Sequence, residues 1–380
     1  MAQVVKFLLA RFIRNYLWKS IFSLTLGLMI VYFLSTLGRQ QQHDIYRKMQ
    51  IPVVEKKILE INLQPVMNSN VALPFVYNNS LRDDLVKHVK WDDSVKIPHI
   101  IHQTWKTRAI PKFNMKWIAS WAKYHPDWKY YFWTDEAAAK FVKTKFPQYY
   151  DIFMKYERPI HRADVIRYFV LYYFGGVYAD IDVEAVKSLN QLTKDHYSAV
   201  SQEPWVHSRL YWNVDRLPCN AIMASSARHP FMKLLVESIP RNYYGNKLSD
   251  VMNKTGPMMV DRMLYEYERV YSRKPFNLSN TVYLAEPDVF NPSYDKTQQP
   301  RLMRICNNPE KYLSRKYDLQ RCKRERENGF ANIIPEEAYT NHHWMHYWVG
   351  DKVFLDIIND DDSIDIKRVI PNAVDASTLL

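Results

Sequence analysis

Two carboxylates one residue apart, Asp180 and Asp182, follow a short apolar run that Gly175 and Gly176 introduce. Side chains alternate along a strand, so the two aspartates are expected on one face where the run ends. Two hard oxygen donors so placed can hold a divalent cation such as Mn²⁺ or Mg²⁺. A bound cation neutralises a diphosphate leaving group, which is the chemistry of moving a sugar off a nucleotide. Most Asp-x-Asp pairs are only solvated loop carboxylates. Here an apolar helix and a double glycine stand before the pair. With only eight glycines in 380 residues, two in a row point to a backbone requirement.

Positioning the carboxylates calls for a sheet with helices against it. Pro98–Trp105 begins as an apolar strand and ends in polar and aromatic residues, and Lys129–Thr134 is a second strand candidate. A helix is predicted from Asp135, read as its N-cap, through Phe146. Another is predicted from about Arg162 to Phe174. It carries Ala163, Ile166, Val170 and Tyr173 on one face and Asp164, Arg167, Tyr168 and Leu171 on another. The strand Val177 to Ile181 then leads to the aspartates. Strands alternating with helices predict an α/β sheet whose ligands sit at the strands' C-terminal ends.

Bulk composition narrows the classes. A hydrophobic content of 47% supports a sizeable core and excludes wholesale disorder. The net charge of +12 suits an anionic nucleotide sugar or an anionic membrane surface. No recognition motif or basic helix supports nucleic acid as a partner. Three cysteines, Cys219, Cys306 and Cys322, are too few and too scattered for a zinc site. A Cys306–Cys322 disulfide is the pairing expected in an oxidising lumen.

Ile21 to Leu37 is an uncharged run of 17 residues between Lys19 and Arg39, at the short edge for a spanning helix. Its flanking charges favour a cytoplasmic N-terminus, with a cleaved signal peptide as the alternative. The expected layout is a cytoplasmic tail (1–20), an anchor (21–37), a stem (38–93), a catalytic domain (94–350) and an exposed acidic tail (351–380). Sequons at Asn78, Asn253 and Asn277 agree with a lumenal location.

His102-Gln103-Thr104-Trp105-Lys106-Thr107, Phe132-Trp133-Thr134-Asp135-Glu136, Arg162-Ala163-Asp164 with Arg167-Tyr168, and Gly175 through Asp182 carry a resemblance. Asn220–Ala224, His229-Pro230-Phe231 and Thr255-Gly256-Pro257 extend it. Together, over about Ile97 to Trp348, they resemble the DXD-containing glycosyltransferases of the yeast mannosyltransferase type. Among these the likeness is greatest to the inositol phosphoceramide mannosyltransferases. The resemblance implies a GT-A type, Rossmann-like nucleotide-sugar-binding domain, Mn²⁺ with Mg²⁺ as the substitute, and retention of anomeric configuration. With the anchor and its flanking charges, the expectation is a Golgi enzyme of single-pass type II topology, with a regulatory or partner subunit left open.

Carried over by position, Asp182 would bind the metal directly and Asp180 would bridge metal and donor. Asp164 and Arg167 would grip the donor sugar, unless they are only an i,i+3 surface ion pair. On the donor-pocket reading, Arg167→Ala would cost turnover and leave stability almost unchanged. Trp105 would stack on the base, Tyr178 would line the pocket, and Asn220 would contact donor or acceptor; core packing or a turn role is the alternative for each. In the closing motif, Asn341 to Trp348, His343 would help the metal and Trp348 would close over the leaving group. Tyr347 stands where the family usually has Ser. Mannose from GDP-mannose is the favoured donor, passed to a glycan or to a glycolipid such as inositol phosphoceramide. A galactosyl- or N-acetylglucosaminyltransferase using a UDP-sugar, a paired-carboxylate glycosidase, and a non-catalytic lectin-like subunit are the competing readings.

Overall fold

The computed structural model describes residues 94–245, 250–271, 277–347 and 362–379. The expected anchor, the stem, Asn78 and Trp348 lie outside these residues. Among the described residues no helix is long and apolar enough to cross a membrane.

The platform is a seven-stranded sheet that runs from β11 (Val374–Asp375) through β3, β1, β4, β7 and β6 to β8 (Tyr283–Leu284). Its central strand is β4 (Gly176–Ala179), and β1 (Ile100–Thr104) beside it runs parallel to both β4 and β3 (Lys129–Trp133). β7 (Pro218–Ser225) runs antiparallel to β4 and to β6 (Ser198–Gln202), so the α/β sheet is mixed. Strand alternation divides the core between two faces. Ile100, Tyr131, Trp133 and Tyr178 pack on one side, and Ile101, Tyr130, Phe132 and Val177 on the other. The first face is covered by α2 (Asp135–Lys145), α3 (Pro147–Lys155), α4 (Pro159–Phe174), α5 (Pro230–Gly245) and α6 (Pro257–Tyr271). The second carries α1 (Met115–Tyr124).

Local chemistry accounts for the element ends. Thr134, not Asp135, caps α2: its backbone is extended and its hydroxyl accepts from the Ala137 amide. Asp135 instead opens the first turn, where a negative charge faces the positive end of the helix dipole. α4 starts on Pro159 and is buried on nearly every side, so it has no polar face of the kind its spacing suggested. It ends at Gly175 (φ 68°), followed by Gly176 (φ 99°). A Cβ at Gly176 would stand 2.6 Å from the Ile100 carbonyl oxygen, and one at Gly175 2.6 Å from the Ala227 amide. The double glycine is therefore required both by dihedral and by space.

Two further features depart from the sequence expectation. The acidic segment read as a tail returns to the domain. β10 (Ser363–Asp365) pairs with β2 (Ala109–Pro111), and β11 (Val374–Asp375) is the edge strand beside β3. Ile366, Ile370, Ala373 and Ala376 are buried there, and that apolar surface outweighs the acidity of the preceding run. The Asn253 side chain of the second sequon is also engaged, its Nδ2 donating to the Asp250 carboxylate at 3.2 Å and its Oδ1 accepting from Arg262 at 3.1 Å. A small satellite core holds Trp205, Leu302 and Phe330. A Cys306–Cys322 disulfide ties its helices α7 (Gln299–Cys306) and α8 (Lys316–Glu327), and Cys219 stays a buried free thiol.

His102 locks helix, sheet and glycine turn together. Its Nε2 donates to the Gly175 carbonyl at 2.9 Å and its Nδ1 accepts from the Trp133 indole at 3.1 Å. Full burial drives its pKa down to about 4, so the folded ring refuses a proton that the unfolded chain takes near 6.5. The stability it contributes is therefore complete above pH 6.5 and is lost as pH falls toward 4. His102→Phe should cost about 2 to 4 kcal/mol at neutral pH by stranding two buried partners. It should also flatten the acid-side fall in stability, both read by urea unfolding at a series of pH values.

Candidate active site

Asp180 and Asp182 sit just past β4 in a turn closed by the Val183 amide donating to the Asp180 carbonyl at 3.0 Å. Strand alternation is thus not what aligns them, because the strand stops at Ala179; the turn does. Its backbone is held at three points. Asp180 N–H donates to the Ala221 carbonyl, the Gln103 amide donates to the Asp180 carbonyl at 3.1 Å, and the Asn114 amide donates to the Ile181 carbonyl at 3.1 Å. Tyr130 hydroxyl in turn donates to Gln103 Oε1.

Five predicted residues converge on one network. Arg167, 2% exposed, donates from Nη1 to the Asn220 carbonyl at 2.6 Å. Its Nη2 lies 3.1 Å from both Asp164 Oδ1 and Asp180 Oδ1. Its guanidinium also lies over the Tyr178 ring, and the Tyr178 hydroxyl donates to the same Asp180 oxygen at 2.8 Å. Asn220 Nδ2 donates to Asp164 Oδ1 at 2.9 Å, and Thr255 hydroxyl donates to Asp164 Oδ2 at 2.7 Å. Asp164 and Arg167 are therefore no surface ion pair, and their hydrogen bonds point inward to the protein. Arg167 orients Asp180, and Asp164 anchors Arg167.

The remaining predicted residues lie around this network. Asp182 Oδ2 accepts from the Met345 amide at 2.9 Å and meets His342 Nε2 at 3.3 Å. Pairing of β5 (Val183–Ala185) with β9 (Thr340–His342) sets Val183 opposite His342 and so delivers the closing motif to the aspartates. His343 is placed differently from His342. Its Nε2 pairs with Glu184 at 3.0 Å and its ring stacks on Trp117 at 4.0 Å, while its amide donates to the Asp182 carbonyl. Trp105 meets the Tyr347 ring edge-on at 5.2 Å, and its indole N–H is buried with no hydrogen-bond partner among the described residues. His342, Thr255, Gln103 and Asn114 were not singled out as site residues. Gln103, Thr255 and His342 did fall within motifs that carried the family likeness.

Electrostatics separate the two carboxylates. Burial pushes Asp180 up to about 6, opposed by Arg167 and reinforced by the charge of Asp182. Burial also works against charge on Asp182, yet His342 and the Met345 amide outweigh it and hold this carboxyl below its ordinary value. Two crowded carboxylates, one of them reluctant to ionise, fit a divalent cation that would relieve their repulsion. Among the described residues, no group of three or more His, Cys, Asp and Glu is arranged to hold a metal. The set therefore suits a cation shared with diphosphate oxygens and water rather than one caged by protein.

Residues 111–199 match the family described as glycosyltransferase sugar-binding region containing DXD motif. The chain carries a glycosyltransferase region. It is similar to inositol phosphoceramide mannosyltransferase 3 of Schizosaccharomyces pombe, 33% identical over 219 residues that make up 56% of each chain. It is also similar to mannosyl phosphorylinositol ceramide synthase SUR1 of Saccharomyces cerevisiae, 35% identical over 193 residues, 50% of this chain and 47% of that one. The chain thus spans about half the length of the curated relatives it matches.

The geometry overturns the expectation that Arg167 can be removed without cost to the fold. Arg167→Ala would leave the Asp164 and Asp180 carboxylates without their shared cation, one of them fully buried. Guanidinium-induced unfolding should show a loss of about 3 to 5 kcal/mol. Arg167→Lys, which keeps charge but cannot span all three oxygens, should fall between.

Proposed function

We propose that this chain is a GT-A, metal-dependent, retaining glycosyltransferase that moves mannose from GDP-mannose to an inositol phosphoceramide-like acceptor. The observation that carries this reading is the Asp180–Asp182 turn, fixed at the strand end by Arg167 and Tyr178 and flanked by His342. The relatives' names, an inositol phosphoceramide mannosyltransferase and a mannosyl phosphorylinositol ceramide synthase, support the donor sugar and acceptor class.

Asp180 and Asp182 would hold Mn²⁺, which when bound supplies charge to a departing nucleoside diphosphate. Arg167 keeps Asp180 in one orientation, so no reorganisation is needed as charge develops. His342 and the Met345 amide do the same for Asp182. Trp105, with an unanswered indole N–H beside the site, is the candidate for meeting the donor's base. A paired-carboxylate hydrolase is disfavoured, because both oxygens of Asp164 are occupied by Arg167, Asn220 and Thr255. The predicted anchor and its charge bias support a single-pass type II protein of the Golgi membrane.

Thermal-shift measurements separate the donors: GDP-mannose with Mn²⁺ should raise the melting temperature, and GDP-mannose with chelator should not. Stabilisation by UDP-galactose or UDP-N-acetylglucosamine instead would reassign the donor. Asp182→Asn should abolish the Mn²⁺-dependent shift and lower turnover at least about a hundredfold, as expected when a preorganised electrostatic group is lost.

A further inference from the structure

The stretch Trp105–Pro126 contains five Lys and Arg residues and no acid. Within it, a 3₁₀ turn (Lys112–Asn114) runs into α1 and leaves Phe113 and Met115 each 39% exposed, beside the exposed Lys112 and Lys116. Arg108 and Lys112 are answered by Asp365 and Asp362 at 3.0 Å; Lys116 and Lys123 point their charge outward without an ion-pair partner among the described residues. The acidic segment thus neutralises one end of the stretch and leaves the α1 end cationic.

This turn is tied to the aspartates. Asn114, fully buried between the exposed Phe113 and Met115, donates to the Ile181 carbonyl and accepts from the Tyr347 hydroxyl at 2.6 Å. Phe113 meets Trp117 at 5.0 Å, Trp117 stacks on His343, and the His343 amide donates to the Asp182 carbonyl at 2.9 Å. Two exposed apolar side chains are therefore held at a set offset from the reacting centre by buried bonds.

We propose that Lys112–Trp117 is a lip that rests on an anionic membrane surface and brings a lipid acceptor's headgroup to Asp180 and Asp182. The inference rests on the lipid-acceptor reading above. Exposed Phe and Met beside lysines match the interfacial layer of a bilayer, where apolar tips dip below the headgroups and cations meet lipid phosphate. Two exposed apolar side chains and a half-buried Trp are too small a patch for a stable dimer face, which needs about 800 Å² per partner.

The test uses the full chain in vesicles of phosphatidylcholine alone or with roughly one-third phosphatidylinositol. An environment-sensitive fluorophore on Phe113→Cys should shift to the blue in the anionic vesicles, while one on Leu278→Cys, 53% exposed elsewhere, should not. Phe113→Ser combined with Met115→Ser should cut mannosyl transfer to bilayer-embedded inositol phosphoceramide by about tenfold or more, given the apolar area withdrawn from the membrane. Donor hydrolysis and transfer to soluble inositol phosphate should be retained. An unshifted probe at position 113, or equal losses on soluble and embedded acceptors, overturns the lip. A shift that follows protein concentration without lipid overturns it too, in favour of a second copy. Wild-type protein that transfers no mannose at all would refute the acceptor reading instead, and the fluorescence then decides the lip alone.

Discussion

Arg167 is a full positive charge held away from water, and the site can exist only in arrangements that answer it. A buried guanidinium carries a heavy desolvation cost that only close oxygens offset. Asp164, Asp180 and the Asn220 carbonyl supply them from three different elements: the helix α4, the end of β4 and the strand β7. Each is then constrained by the others. Asp164 is held from its far side by Thr255, and Asp180 by the Tyr178 hydroxyl. The helix cannot rotate, nor the strand end shift, without leaving a charge unpaired. The rigidity of the aspartate turn is in this sense electrostatic before it is a matter of packing.

The second aspartate is governed by a different part of the chain. Asp182 takes its partners from His342 and Met345, which arrive through the short β5–β9 pairing. Trp344 and His346 flank Met345 with φ of 56° and 48°, a conformation uncommon for residues with side chains. It is retained because Trp344 donates to the Ser293 carbonyl at 2.7 Å and His346 pairs with Asp295 at 3.1 Å. The two carboxylates thus have separate supports, a buried cation for one and a bent, pinned loop for the other. Their pKa displacements are opposite because burial outweighs Arg167 at Asp180, whereas His342 and the Met345 amide outweigh burial at Asp182.

Much of this was legible along the chain wherever the signal was local. The strands at Ile100–Thr104 and Lys129–Trp133 and the helix before Gly175 follow from apolar periodicity and glycine placement, while the grouping of Asp164, Arg167, Tyr178 and Asn220 with Asp180 was implied by the family resemblance. Whether Asp164 and Arg167 faced water was not legible, because i,i+3 spacing is the same on a surface helix and a buried one. The choice of His342 over His343 as neighbour of Asp182 depends on strand register, which a one-residue slip reverses. The acidity of Asp360 to Asp362 concealed the return of the chain to the sheet, since two short strands and four buried apolar residues give little periodic signal.

That return has a consequence for how the molecule assembles. β11 lies beside β3 through Val374 and Tyr131, positions about 240 residues apart in sequence. During synthesis the edge of β3 stays open, with bare amide and carbonyl groups, until nearly all the intervening chain has emerged. An uncovered strand edge is a template for pairing with foreign chains. Nascent copies should therefore depend on chaperone protection until this late clasp closes.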